Sequence, residues 1–147
     1  LDISNLLKEV LNTLFKEKIY LSRADRKMLM DIFYVFVVNF FSHDINFMNH
    51  TCKDGVDRAG SSLSLFYLFL LIDLCYDGRI KNESFKTLLS DFSNKIFMDA
   101  ILNKERHILK KHFSRFFEAS LFIIKSFIYN KDSRKLLKHF RQKLTIR

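Results

Sequence analysis

Apolar residues recur at helical spacing over most of the chain. One such stripe runs from Ser4 to about Lys18 and predicts the first helix. A second helix is predicted to begin at Ser22, because Asp25 three residues later completes a capping-box pattern, and to continue through Phe41. Its second half is nearly all hydrophobic, so we expect this helix to be central.

The spacing of apolar residues changes after the second predicted helix. Ile45 to Met48 alternates apolar and polar residues, which predicts a short strand. Ala59 to Tyr76 returns to a strongly apolar helical pattern, and Asp77 followed by Gly78 is expected to end that helix.

Three further helices are predicted in the remainder of the chain. They run from about Asn82 to Leu102, from Lys104 to about Tyr129, and from Ser133 to about Lys143. The second of them spaces its apolar residues as one stripe. The members of that stripe are Ile108, Leu109, Phe113, Phe116, Phe117, Leu121, Ile124 and Ile128.

Composition favours one helical domain over residues 1–147. The chain has 147 residues, of which 48% are hydrophobic and 17 are Phe, so it can bury one sizeable core. With no proline and only three glycines, long helices are favoured over a many-stranded sheet. The apolar run from Leu63 to Ile72 is too short to span a membrane and ends at Asp73. Leu1 in place of an initiator methionine indicates a piece of a longer polypeptide.

Positive charge is concentrated in the last third of the chain, residues 104–147, which form a basic helical C-terminal part. This part holds 13 Lys and Arg against 3 Asp and Glu, whereas residues 1–103 hold 12 against 13, so the net charge of +9 is entirely C-terminal. Basic amphipathic helices suit an anionic membrane surface. The alternative is a basic face that is simply solvated. Nucleic acid is not expected as a partner, because no reading motif accompanies these helices.

The chemistry is concentrated between the predicted strand and the apolar helix. Cys52 and Arg58 are separated by five residues that include Gly55, the arrangement of a loop that wraps a phosphoryl group at a helix N-terminus. Cys52 would attack phosphorus as a thiolate, and Arg58 would hold two equatorial phosphoryl oxygens. A catalytic thiolate must stay reduced, so we expect a reducing cytosol as the working compartment. Cys75 is expected to be a buried small hydrophobe.

The loop resembles those of cysteine-dependent phosphoinositide phosphatases. Its C-x-D-G-x-D-R pattern is similar to that of the myotubularin-type 3-phosphatases, and Sac-type lipid phosphatases share a C-x-D-x-x-D-R version. With Lys53 and Ala59 included, the stretch most resembles the SidP-like phosphoinositide 3-phosphatase effectors of Legionella. The resemblance implies an enzyme acting on a phosphoinositide headgroup, at the cytosolic side of membranes or, as a bacterial effector, in a host cytosol.

Residue roles follow from this resemblance. It makes Cys52 and Arg58 catalytic, and it makes Asp57 the general acid that protonates the leaving inositol oxygen. The alternative for Asp57 is a structural acceptor that braces loop amides or Arg58. The implied substrate-binding residues are Lys53, Asp54, Gly55, Val56, Ala59 and Gly60, with Asp54 weighed toward a structural role. No metal and no cofactor is expected.

Two features depart from the family pattern. Ala59 stands where a Ser or Thr usually eases departure of the cysteine thiolate, so slower hydrolysis of the phosphoenzyme, or substitution by Ser61 or Ser62, is expected. Only one strand is predicted, whereas such phosphatases place the loop strand in a sheet. The predicted fold class is therefore mainly α: a helical bundle around one short strand and the phosphate-binding loop, forming the C-terminal part of an α/β cysteine-phosphatase domain.

Three functions remain open from the sequence. The first is a phosphoinositide phosphatase that works through a phosphocysteine intermediate. The second is a catalytically weak or inactive module that binds phosphoinositides or anionic membranes. The third, a nucleic-acid-binding helical protein, leaves the spacing of Cys52 and Arg58 without a role.

Overall fold

The protein is mainly helical, as the sequence predicts. A computed structural model describes residues 2–16, 18–41, 57–78, 84, 87, 88, 90, 91 and 109–141. Its helices are α1 (Ile3–Leu14), α2 (Arg23–Phe41), α3 (Arg58–Tyr76), α4 (Lys110–Tyr129), a 3₁₀ helix (Ser133–Leu137) and α5 (Lys138–Arg141). The predicted strand, residues 45–48, lies outside the described residues. Of the helix predicted from Asn82 to Leu102, only residues 84, 87, 88, 90 and 91 are described, and they are helical.

The start of α2 is the capping box that the sequence predicts. The amide of Asp25 donates to Ser22 Oγ at 3.1 Å, and the amide of Ser22 donates back to Asp25 Oδ2 at 3.2 Å. Lys18 Nζ lies 2.6 Å from Asp25 Oδ1. These reciprocal bonds satisfy backbone donors that a helix N-terminus otherwise leaves without partners, so the helix begins at Arg23.

Two compact units divide the chain. The first comprises Leu1–Phe47 and Glu118–Arg147, and the second comprises Met48–Phe117. In the first unit α1 packs against α2 and the 3₁₀ helix, and α5 packs against α2. Its core is aliphatic and aromatic, and Phe15 stacks on Phe122 with ring centroids 5.3 Å apart. The buried members of this core include Leu6, Val10, Ile32, Phe36, Ile123, Phe127, Leu136 and Leu137.

One carboxylate in the first unit holds the C-terminal helical segment. Lys138 Nζ donates to Glu9 Oε1 at 2.7 Å, and His139 Nε2 lies 3.0 Å from Glu9 Oε2. The side-chain amide of Asn39 donates to the backbone carbonyl of His139 at 2.6 Å, and the ring of Phe36 meets the His139 imidazole edge to face. We call Glu9, Lys138 and His139 the Glu9 cluster.

In the second unit α3 buries one side against the core. Leu65, Leu68, Phe69 and Ile72 are all at most 2% exposed, whereas Tyr67 is 42% exposed. The helix ends at Tyr76, and Gly78 adopts a φ of +73°, a conformation that favours glycine at a helix C-terminus. The predicted end at Asp77 and Gly78 is confirmed.

The helix α4 begins later than the pattern predicts. The sequence indicates a helix from Lys104, but Leu109 is not helical and α4 begins at Lys110; residues 104–108 lie outside the described residues. The amides of His112 and Phe113 both donate to the Leu109 carbonyl, at 2.8 and 3.1 Å, so Leu109 occupies the capping position. The amide of Leu109 itself donates to the side chain of Asp57, which lies in the same unit. This bond holds the capping residue in place, and α4 begins directly after it.

Among the described residues, α3 is long and apolar enough to cross a membrane by length and composition. The core helix of a soluble protein meets the same criterion, so this observation is weak support for a span. The buried residues on α3 include Ser64 and Asp73 as well as apolar side chains.

Candidate functional site

The structure describes the last part of the candidate phosphate-binding loop. Asp57, Arg58, Ala59 and Gly60 are described, and the five residues Cys52–Val56 lie outside the described residues. Asp57 is the capping residue of α3, with φ −72° and ψ −71°, and Arg58 is the first residue of the helix. Arg58 is exposed and Ala59 is buried. The arginine of the motif therefore stands at a helix N-terminus, where a phosphate-binding loop requires it.

Asp57 occupies the capping position of α3, but its side chain does not make the capping hydrogen bond. It makes no side-chain hydrogen bond to the first turn of α3 and is only 7% exposed. Instead, its Oδ1 accepts the backbone amide of Leu109 at 2.9 Å, across 52 residues of sequence. This bond attaches the beginning of α4 to the end of the candidate loop.

The two helices consequently begin beside the same carboxylate. The amide of Ser61 donates to the Asp57 carbonyl at 3.1 Å and closes the first turn of α3, while Asp57 Oδ1 holds the residue that caps α4. Helix N-termini carry partial positive charge, and each stabilises an anion placed near it. The N-termini of α3 and α4 therefore both stabilise negative charge close to Asp57.

The pKa of His112, in the first turn of α4, is affected by the charged side chains near Asp57. Burial lowers the pKa of His112, the Asp57 carboxylate raises it, and the cations Lys111, Arg115 and Arg58 lower it again. The net pKa lies below the ordinary value of 6.5, so the ring is largely neutral at pH 7. We call Asp57, Arg58, Lys111, His112 and Arg115 the Asp57 cluster. It contains one carboxylate and three permanent cations.

The hydroxyl of Ser61 is committed to the backbone. Ser61 Oγ donates to the Asp57 carbonyl oxygen at 2.7 Å, and Ser64 Oγ donates to the Gly60 carbonyl oxygen at the same distance. A hydroxyl proton held by a carbonyl is not directed at a cysteine thiolate. Ser61 and Ser62 are the two serines expected to replace the hydroxyl that Ala59 lacks. The hydrogen bond of Ser61 to the backbone disfavours it for this role, so Ser62 is the remaining candidate.

Gly60 has space around it. A Cβ atom added at this position meets no other atom of the described residues within 4 Å, apart from its chain neighbours and the backbone of its own helix, so packing among those residues does not require a glycine here. The φ of Gly60 is not in the left-handed region, so its backbone does not require one either. Among the described residues, the first turn of α3 therefore has open space at Gly60.

Sequence reasoning missed two members of the site. Leu109 contributes through its backbone amide, which no side-chain pattern reveals. His112 could have drawn attention as a titratable residue in a basic run, Lys110 to Arg115, at the start of an amphipathic helix. No local signal connects either residue to Asp57, because the connection exists only in the fold.

Groups of three or more His, Cys, Asp or Glu side chains that could hold a metal ion do not occur among the residues that the structure describes. The acidic and imidazole groups of the Asp57 cluster are accompanied by three cations, an environment that disfavours a metal ion and favours an anion.

Comparison with known proteins yields no relative: no family model, no curated protein and no solved structure matches the chain.

Proposed function

We propose that the chain is a cysteine-dependent phosphatase that removes a phosphate, the 3-phosphate, from the headgroup of an inositol lipid. The proposal includes action at the cytosolic side of an anionic membrane, in a host cytosol if the protein is a bacterial effector. It also includes a larger phosphatase domain to which the chain contributes its C-terminal part. The observation that carries the proposal is the spacing of Cys52 and Arg58 together with the position of Arg58 as the first residue of α3.

The proposed reaction has two steps. The Cys52 thiolate attacks phosphorus, a sulfur–phosphorus bond forms, and the bond from phosphorus to the inositol oxygen breaks as that oxygen takes up a proton. Water then attacks phosphorus, the sulfur–phosphorus bond breaks, and inorganic phosphate leaves. Arg58 holds two equatorial oxygens of the phosphoryl group through both steps, and the N-terminus of α3 stabilises its negative charge.

Asp57 has two candidate roles in this scheme. As general acid it would protonate the leaving oxygen, as the family resemblance implies. Its burial and the bond from the Leu109 amide support the other role, in which it braces the loop by holding the start of α4. A brace needs an oxygen that accepts the Leu109 amide, whereas a general acid must deliver a proton to the leaving oxygen, so the two roles make different demands on this side chain.

A second candidate function is a binding module that keeps the anion site without turnover. Two observations favour it: Ala59 lacks the hydroxyl that usually assists thiolate departure, and Ser61 donates its proton to the backbone. Such a module would hold a phosphoinositide headgroup at the N-terminus of α3 and release no phosphate.

Phosphate release separates these two functions. The chain should be incubated with a panel of inositol lipids, soluble inositol phosphates and phosphopeptides, and free phosphate should be measured with malachite green. Release from inositol lipids that disappears in Cys52→Ser, with headgroup binding intact or tighter, would support the phosphatase. Tight binding without release would assign the binding module, and release that survives Cys52→Ser would exclude cysteine chemistry altogether.

A further inference from the structure

The exposed face at the start of α4 combines aromatic and basic residues. Phe113 is 44% exposed and Phe117 is 53% exposed, whereas Phe116, the residue before Phe117, is only 8% exposed. Leu109, directly before the helix, is 48% exposed. The apolar pattern of the sequence places all these residues on one stripe, yet the structure buries only Phe116 and leaves the other three about half exposed.

Helical geometry puts a cation among these exposed rings. Lys110, Phe113 and Phe117 are related by steps of three and four residues, so they share one face of α4. Lys111 is also exposed. From residue 109 to residue 117 the sequence contains three Lys or Arg and no Asp or Glu. We call Leu109, Lys110, Phe113 and Phe117 the α4 face.

We propose that the α4 face is the membrane-docking surface of the protein, with Phe113 and Phe117 entering the headgroup region of an anionic bilayer while Lys110 contacts lipid phosphates. A face that carries two phenylalanines beside a lysine and lacks acidic residues is suited to the boundary between anionic headgroups and acyl chains. Lysine stems can lie along the apolar region while their ammonium groups stay with the phosphates.

The same face begins at the candidate active site. The amide of Leu109 donates to Asp57 Oδ1 at 2.9 Å, and Asp57 directly precedes Arg58. A bilayer bound by the α4 face would therefore present its headgroups within about two helical turns of Asp57, the residue that precedes Arg58. The inference rests on the membrane part of the proposed function and does not depend on the phosphatase chemistry.

A tryptophan reporter tests insertion directly. The chain contains no tryptophan, so Phe117→Trp introduces a single fluorophore into the α4 face. Tyr34→Trp is the matched control, since Tyr34 is 50% exposed on α2. With vesicles of phosphatidylcholine and phosphatidylserine, we expect the emission of Trp at position 117 to shift to the blue and to be quenched by lipids brominated on their acyl chains. The emission of Trp at position 34 should do neither. Water-like emission at position 117 in the presence of these vesicles would overturn the proposal.

Vesicle sedimentation tests the contribution of the two rings. The double variant Phe113→Ser with Phe117→Ser should lose about tenfold or more of its partitioning, because two large apolar side chains no longer leave water. Met30→Ser with Tyr34→Ser is the control, as these residues are 63% and 50% exposed on α2. Circular dichroism must show the same helical content in both variants. If the first variant does not fold, the tryptophan reporter still decides.

The remaining outcomes are equally decisive. The proposal would be overturned if the two double variants partitioned equally onto vesicles. It would also be overturned if partitioning of the unmodified chain did not depend on the phosphatidylserine content or on the salt concentration. A concentration-dependent dimer that the Phe113 and Phe117 changes abolish, with vesicle binding intact, would assign the face to a second copy of the chain. Insertion at position 117 without phosphate release from any lipid would leave this inference standing and remove the phosphatase. Phosphate release from soluble substrates without insertion would do the reverse.

Discussion

Two charged clusters of the protein are built in opposite ways. In the Glu9 cluster of the first unit, one carboxylate meets Lys138 and His139 at 2.7 and 3.0 Å and holds the C-terminal segment to α1. In the Asp57 cluster of the second unit, the carboxylate bonds to a backbone amide, while Arg58, Lys111 and Arg115 add positive charge around His112. The first cluster pairs its carboxylate directly with basic side chains and holds two parts of the fold together. The second has an excess of positive charge among the described residues, which a bound phosphate would balance.

The largest expected effect comes from the arginine of the Asp57 cluster. Arg58→Lys should reduce phosphate release from the inositol lipid by about 10²–10³-fold, because an ammonium cannot hold two oxygens of the trigonal phosphoryl group at once. Initial rates of phosphate release measure this effect. Arg26→Lys is the control, since Arg26 is an exposed residue of α2 that donates to the Leu21 carbonyl. A lysine at position 58 that supports the same rate would show that the site does not use a bidentate cation.

Asp57→Asn is the next largest change, and it separates the two roles of this residue. Asparagine keeps an oxygen that can accept the Leu109 amide but cannot deliver a proton. If Asp57 is the general acid, lipid hydrolysis should fall by about 10²-fold, whereas the burst from para-nitrophenyl phosphate, whose leaving group needs no proton, should change far less.

Asp57→Ala completes the comparison, because it removes the acceptor as well as the proton. We expect it to lower the free energy of unfolding by about 1–3 kcal/mol relative to Asp57→Asn, measured by urea unfolding. If the aryl substrate and the lipid lose their bursts equally in Asp57→Asn, the residue braces Arg58 and the start of α4, and the acid lies elsewhere.

The stability contributed by the Glu9 cluster should depend on pH and not on substrate. Partial burial raises the pKa of Glu9, but hydrogen bonds from Lys138 and His139 and their positive charges lower it more, so the pKa lies below 4.5. A carboxyl whose pKa is lower in the folded state contributes stability above its unfolded pKa. That contribution is lost as the pH falls through the lower, folded pKa.

Glu9→Gln should therefore cost about 1 kcal/mol of unfolding free energy at pH 7 and flatten the loss of stability below pH 4.5. Urea unfolding curves at several pH values measure both effects. Glu118→Gln, at an exposed position of α4, is the matched control and should change neither. If the free energy of unfolding of Glu9→Gln falls with decreasing pH just as it does in the unmodified chain, the Glu9 cluster does not contribute to stability.

The smallest expected effect is a titration within the Asp57 cluster. The pKa of His112 lies below 6.5, first because of burial, and the Asp57 carboxylate partly offsets this by raising it. Asp57→Asn should therefore lower the pKa of His112 further. Its ring-proton resonance, assigned with His112→Gln, measures this by nuclear magnetic resonance. A lowered pKa also means that stability should fall as the pH decreases from 6.5 through the folded value. An upward shift of the pKa in Asp57→Asn would contradict the proximity of the two side chains.

What the sequence revealed was local. The capping box of Ser22 and Asp25 could be read directly, because both partners lie within one turn and the bonds form there. The end of α3 at Gly78 was equally local. The position of Arg58 at the start of α3 followed from the boundary between the loop and an apolar run.

The contacts that define the candidate site were not readable in the same way. Asp57 and Leu109 are separated by 52 residues, and a backbone amide leaves no trace in the side-chain pattern. Periodicity grouped Phe113, Phe116 and Phe117 on one stripe, since steps of three and four residues both count as one face. Only packing distinguishes the buried ring of Phe116 from the two exposed rings.

The division of the chain has a consequence for its synthesis. The second unit is a continuous segment, Met48–Phe117, whereas the first is assembled from residues on both sides of it. The hydrogen bond from Asn39 to the His139 carbonyl joins residues 100 positions apart, so it cannot form until the chain has been translated past residue 139. Contacts between distant residues form late, because the intervening loop must be closed first. On the ribosome, the second unit can therefore fold while α1 and α2 still lack their contacts with the 3₁₀ helix and α5.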